Sequence, residues 1–228
     1  LEAAIAAART IRNETLPVAL ELLDGAAMAV MARSGWQPGN GGAGVMAIYT
    51  GFKEQVDAQV EHLRKQFPAT TLLEGEAGET AWQARRQLFS TFAGQKGAIL
   101  ASAAVPFTAM AEFLSRARAE LDQNRKGAAL VAHFGNAHIH IFLDEAPAAW
   151  TGARETIDRL ASLAGDLGGL LMVDNIDDLT LARRWVESRG TAVLELLGRL
   201  KAAIDPCGIM APNSKVLAYI PAATRVAS

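Results

Sequence analysis

The chain has 228 residues, half of them hydrophobic and a fifth charged, with a formal net charge of -2. That length allows one large domain or two small ones with a sizeable core, and the mixed charge offers no basic stripe for nucleic acid and no acidic tail. Apolar runs fall far short of the roughly 20 residues of a membrane span, no leader pattern is visible, and a single cysteine, Cys207, excludes an internal disulfide and suits a reducing, cytoplasmic setting.

The chain opens on Leu1 inside a helical pattern, which is read as a piece of a longer polypeptide. Helix and strand signals then alternate. A helix is expected over Glu2–Asn13, a strand over Pro17–Leu23 ending at Asp24-Gly25, and a short helix over Ala26–Ala32. Residues 34–44, with Pro38, Asn40 and five glycines, form a loop. A strand over Val45–Thr50 follows, then a helix over Phe52–Phe67, a short strand over Thr70–Leu73 and a helix over Thr80–Phe92. An apolar strand over Ala98–Val105 stops at Pro106. The Met110, Phe113 and Leu114 spacing makes Phe107–Asn124 a long amphipathic helix. A hairpin over Ala128–Phe142, a helix over Ala148–Leu167, a strand over Gly168–Val173 and helices over Leu179–Glu187 and Thr191–Ile204 complete the order, before a tail punctuated by prolines. No glycine-rich phosphate loop opens a helix after any strand, and Gly39-Asn40-Gly41-Gly42 precedes a strand instead. The pattern predicts an α+β fold, a mainly antiparallel sheet covered by helices, with ferredoxin-like halves fitting the element order.

Three of the four histidines fall in His133-Phe134-Gly135-Asn136-Ala137-His138-Ile139-His140. With Gly135-Asn136 as a two-residue turn, His133 lies across from His138 and Val131 across from His140. All three imidazoles then project from one sheet face, a plausible metal or anion site; a solvated polar face is the alternative. His62, beside Glu61 and Arg64 on a charged helix, reads as a surface residue. Arg85 and Arg86 suit a solvated helix face, and Asp174, Asp177 and Asp178 suit capping of the following helix. Trp82, Trp150 and Trp185 read as core or domain-contact residues, and Cys207 as a packed, inert thiol.

The histidine stretch resembles the C-terminal, substrate-side domain of FAD-linked oxidases of the vanillyl-alcohol oxidase superfamily, in the glycolate oxidase and D-lactate dehydrogenase branch. That family carries a histidine, Gly-Asp-Gly-Asn, and a second histidine seven residues after the first. Three further stretches agree in order. Pro17-Val18-Ala19-Leu20-Glu21 resembles the early Pro-x-Ala-x-Glu strand, and Trp82-Gln83-Ala84-Arg85 the Trp-x-x-Arg helix. Leu200-Lys201 with Asp205-Pro206-Cys207-Gly208-Ile209-Met210-Ala211-Pro212 resembles the closing Leu-Lys…Asp-Pro-x-Gly-Ile-x-Asn-Pro-Gly-Lys segment.

The resemblance implies a single cap domain over 1–228 whose partner is its own FAD-binding domain, lying outside this chain. It implies FAD as cofactor, a small 2-hydroxy acid as substrate, and a divalent metal (zinc, manganese or iron) on His133 and His140, with Asp174 in the place of the family's glutamate. His133 or His140 would act as the catalytic base, while Arg85 and His138 would bind substrate. An iron-sulfur subunit is a further expected partner, and the isolated chain is expected to be inactive. The family's strand lysine falls near Leu100, and its tail asparagine on Ala211. These departures leave a second expectation, a degenerate cap serving metal binding or subunit interaction without redox chemistry. An independent three-histidine metallohydrolase is a third.

Overall fold

The computed structural model describes residues 1–33, 36, 42–95, 98–124, 127–143, 150–174 and 190–211. Among them are seven helices, α1 (Glu2–Glu14), α2 (Gly25–Arg33), α3 (Lys53–Gln66), α4 (Gly75–Ala93), α5 (Phe107–Asn124), α6 (Trp150–Asp166) and α7 (Thr191–Ile204), and six strands, β1 (Ala19–Leu23), β2 (Gly44–Ile48), β3 (Ile99–Ala104), β4 (Ala129–His133), β5 (His138–Leu143) and β6 (Leu170–Val173). The strands form one sheet in the order β2-β1-β4-β5-β3-β6, antiparallel at every pairing. The α+β class with a helix-covered antiparallel sheet is therefore the observed one. The segment β3-α5-β4-β5-α6-β6 is a complete ferredoxin-like unit, its strands ordered last-first-third-second. The first half contributes β1 and β2, which extend the same sheet beyond β4.

Alternation along the strands divides the interior in two. One face presents Leu20, Leu22, Ile99, Ala101, Leu130, Ile139 and Ile141 to Ile5 and Ala8 of α1, to Phe113, Leu114 and Leu121 of α5, and to Ile157 and Leu160 of α6, all buried. The opposite face presents Leu23, Leu100, Val131 and Phe142 to Val30 and Met31 of α2 and to Leu88 and Phe92 of α4. Phe92 stacks on Phe142 with ring centroids 4.3 Å apart.

Local chemistry fixes the joints. Asp24 is the N-cap of α2: its Oδ1 accepts from the Ala27 N–H at 2.8 Å, while Oδ2 accepts from the Leu130 N–H and from Arg118, tying the helix start to β4. The turn from α6 into β6 is a Schellman motif, with the Gly168 and Gly169 amides donating to the carbonyls of Gly165 and Ala164. Gly168 sits at φ +77°, and a Cβ on Gly169 would stand 2.4 Å from the Ala104 carbonyl oxygen, so two glycines are needed there.

Two expectations fail. Residues 70–73 form no strand; they lie exposed between α3 and α4, because a short apolar run with no partner strand has no ladder to join. The hairpin loop spans four residues, Phe134–Ala137, with the Asn136 amide on the His133 carbonyl at 3.2 Å and Ala137 at φ +58°. The tight Gly135-Asn136 turn is absent, yet the pairing it implied is kept: His133 faces His138 and Val131 faces His140. The expected helix over Leu179–Glu187, together with Trp185, Asp177 and Asp178, lies outside the described residues.

Candidate functional site

On the face shared with α2 and α4, a row of polar side chains crosses the sheet beyond the helices' apolar contacts. Strand register places Glu21 of β1 opposite His133 of β4, and His133 opposite His138 of β5. Two residues along, His140 of β5 lies opposite Ser102 of β3. Arg85 reaches the row from α4, and Asp174 follows β6 directly, its amide bonded to the Leu100 carbonyl.

The three imidazoles form a cluster, with centroids 5.1 Å (His133–His140), 4.6 Å (His138–His140) and 5.9 Å (His133–His138) apart. His133 and His140 approach through their Nε2 atoms, at 3.2 Å. Behind His133 lies Glu21, its side chain only 5 % exposed. One carboxylate oxygen, Oε1, meets His133 Nδ1 at 2.9 Å; the other, Oε2, accepts from Arg85 Nε at 3.0 Å and Nη2 at 2.6 Å. Behind His140, Ser102 Oγ stands 3.2 Å from Nδ1 and donates to Asp174 Oδ2 at 2.6 Å. The Arg85 guanidinium lies 5.7 Å from the Trp82 ring centroid, within cation–π range. Phe89, one turn further along α4 and 43 % exposed, sets its ring edge-on to His140 at 5.7 Å.

Burial sets the proton affinities. It would raise the Glu21 carboxyl, but the His133 hydrogen bond and the Arg85 charge outweigh it and hold the group below the ordinary carboxylate value. Burial pushes His140 down to about 4, with His138, His133 and Arg85 adding to the effect. His138 is lowered for the same leading reason, with His133 adding and Asp174 opposing. His138 and His140 are therefore neutral near pH 7, with lone pairs available.

The structure thus brings His133, His138, His140 and Arg85 together, with Asp174 at the edge. Arg85 is clamped by Glu21 and is not a solvated charge, whereas Arg86 is exposed. Trp82 is half-buried beside Arg85. His62 is exposed and bonded to Glu14, as a surface histidine should be. Cys207 is exposed, which corrects the packed thiol expected from sequence; the loop around it is fastened instead by Asp205, whose carboxylate accepts from the Ile209 and Met210 amides and pairs with Lys201.

A metal on His133, His140 and Asp174 meets a partial fit. An Nε2 separation of 3.2 Å matches two ligands about 2.0–2.1 Å from one tetrahedral ion. Asp174, however, is engaged by Ser102, and among the described residues no three His, Cys, Asp or Glu side chains are grouped to hold a metal ion. Two converging nitrogens fall short of the three protein ligands of a typical catalytic zinc site.

Glu21, Ser102 and Phe89 join the site with no expectation from sequence behind them. The available signals were an acid inside the apolar strand Ala19–Leu23, a hydroxyl inside Ile99–Ala104, and an aromatic four residues after Arg85.

A family model described as FAD linked oxidases, C-terminal domain, matches residues 1–214. The chain belongs to this family and is a domain of a flavin-dependent oxidoreductase. Membership implies FAD as the cofactor and an FAD-binding domain as its partner. A search of curated proteins returns no match. Among the described residues, no helix is long and apolar enough to cross a membrane.

Proposed function

We propose that the domain is the cap of an FAD-dependent 2-hydroxy-acid oxidase or dehydrogenase of glycolate or D-lactate type. The carrying observation is the histidine row: two neutral imidazoles, His138 and His140, beside His133 and Arg85 on one partly open sheet face. Bound in its partner domain, FAD would supply the acceptor for the hydride leaving the carbinol carbon. This chain's residues would do the rest. His133 or His140 takes the hydroxyl proton on a ring nitrogen, His138 hydrogen-bonds the substrate, and Arg85 orients its carboxylate through the guanidinium edge not turned to Glu21. Phe89 and Trp82 would help exclude water from the covered flavin face.

Joined to its flavin domain, the enzyme should show anaerobic bleaching of the flavin by glycolate or D-lactate. Either His133→Ala or His140→Ala, whichever removes the base, should slow that bleaching about 10²- to 10⁴-fold, the usual share of a general base. The chain alone should neither oxidise these acids nor hold FAD tightly. Failure of every short 2-hydroxy acid to bleach the joined enzyme would sink the reading. Titration with zinc, manganese or iron(II) tests the metal: one equivalent bound, and lost in His133→Ala, supports ligation by the pair, while no uptake removes the metal from the reading. An iron-sulfur subunit and a cytoplasmic setting remain parts of the same proposal, the latter supported by the single cysteine.

A degenerate cap is the second reading. It is favoured by the charge balance, since Glu21 already neutralises Arg85, and by Leu100, buried where the resemblance places a lysine.

A further inference from the structure

We infer that Glu21 and the Ser102–Asp174 pair are positioning groups that hold His133 and His140 in the same tautomer, with hydrogen on Nδ1 and both Nε2 atoms turned towards each other.

An ionised carboxylate only accepts hydrogen bonds, and a guanidinium only donates them. Glu21 is paired with Arg85 through two hydrogen bonds and held in its charged form, so the nitrogen 2.9 Å from its Oε1, His133 Nδ1, must carry the hydrogen. Arg85 Nη2 also lies 3.1 and 3.3 Å from the two ring nitrogens of His133. With Nδ1 protonated towards Glu21, Arg85 as a donor can address only Nε2, which is compatible with that tautomer without selecting it.

The other end of the row gives a parallel result by a different route. Asp174 accepts the single hydroxyl hydrogen of Ser102. Ser102 Oγ can then serve His140 Nδ1 only as acceptor, so that nitrogen too bears hydrogen. The two Nε2 atoms are left facing each other at 3.2 Å. Two lone pairs at that distance repel, and the Arg85 Nη2 donor 3.3 Å from His133 Nε2 offsets part of that repulsion. A carboxylate behind a metal-ligating histidine fixes ring orientation and basicity through the same kind of hydrogen bond. Asp174 therefore belongs behind His140, acting through Ser102.

The test needs no flavin. In the 228-residue chain with ¹⁵N-labelled histidine, long-range ¹H–¹⁵N correlation reads which ring nitrogen carries hydrogen. Both His133 and His140 should show protonated Nδ1. In Glu21→Gln, Arg85 still requires the side-chain oxygen, so the new amide NH₂ turns to His133, and that ring should switch to the Nε2–H form while His140 keeps its own. Ser102→Ala should release His140 into a tautomer mixture and leave His133 unchanged. A purely structural role for Glu21 would alter stability without this selective switch. An Nε2–H, Nδ1-bare ring at either histidine in the unaltered chain would overturn the inference, as would a folded Glu21→Gln chain whose His133 retains Nδ1–H. Should Glu21→Gln fail to fold, the unaltered chain and Ser102→Ala still decide it.

Discussion

The two faces of the sheet do opposite things with the same alternation. The face under α1, α5 and α6 is apolar along its whole width, with Phe113, Leu114, Leu130, Ile139 and Ile141 essentially without solvent contact. The face under α2 and α4 is apolar only where Leu88, Phe92, Val30 and Met31 reach it, and beyond them carries Glu21, Ser102 and the histidines. Stability is concentrated on the first face. The second spends part of its burial on ionised groups, which remain tolerable because each has a partner.

The largest effect should come from the apolar face. Phe113→Ala, at a site with 0 % exposure, should cost about 3–5 kcal/mol through lost burial and a cavity, read as a lower denaturant midpoint with an unchanged slope. Next comes the polar row. Arg85→Ala leaves the Glu21 carboxylate buried against His133 alone and should cost about 3 kcal/mol. Adding Glu21→Leu to it should recover most of that loss, because the unpaired buried carboxylate is then gone; a double variant as unstable as Arg85→Ala would contradict this account of the polar row.

A pH effect of intermediate size should also separate them. His138 and His140 have folded-state values below the ordinary 6.5, His140 down to about 4. The unfolded chain therefore binds more protons, and stability is fully present above about pH 6.5 and lost as pH falls towards 4. Glu21, also lowered from its ordinary value, continues the loss at still lower pH. Melting temperature against pH should show this slope, and His140→Phe should flatten it. The smallest effect belongs to the exposed His62–Glu14 contact, where His62→Ala should stay within about 0.5 kcal/mol of the unaltered chain in the same denaturation assay.

Much of this was readable from sequence wherever the signal was local. The apolar spacing of α5 gave its observed limits, Phe107–Asn124, and side-chain alternation with the histidine spacing gave the hairpin pairing, even though the loop between is longer than a two-residue turn. What was not readable depended on distant partners. Glu21 sits among leucines where an acid reads as a solvent-side alternation, and only α4 laid across β1 turns it into a buried ion pair. Arg85, on an amphipathic helix, reads as a solvated charge for the same reason, and only the Trp82-Gln83-Ala84-Arg85 resemblance marks it as a substrate-binding residue. Thr70–Leu73 has local strand character but, among the described residues, no strand beside it. The tail motif ending in Asp-Pro-x-Gly-Ile carried the resemblance most specifically, yet in space it acts as a fastener, with Asp205 closing the loop after α7.

The placement of β1 between β2 and β4 carries a consequence for assembly. His133 and His140 are seven residues apart, and Ser102 lies 38 from His140, all inside the ferredoxin-like unit. Glu21 is 112 residues from His133 and 64 from Arg85. Such contacts close much longer loops, at a greater entropic cost. The histidines are thus a short-range product of one compact segment, while their charge balance is a long-range one. Damage that loosens β1 or α4 releases the ion pair first and leaves the imidazoles on their strands.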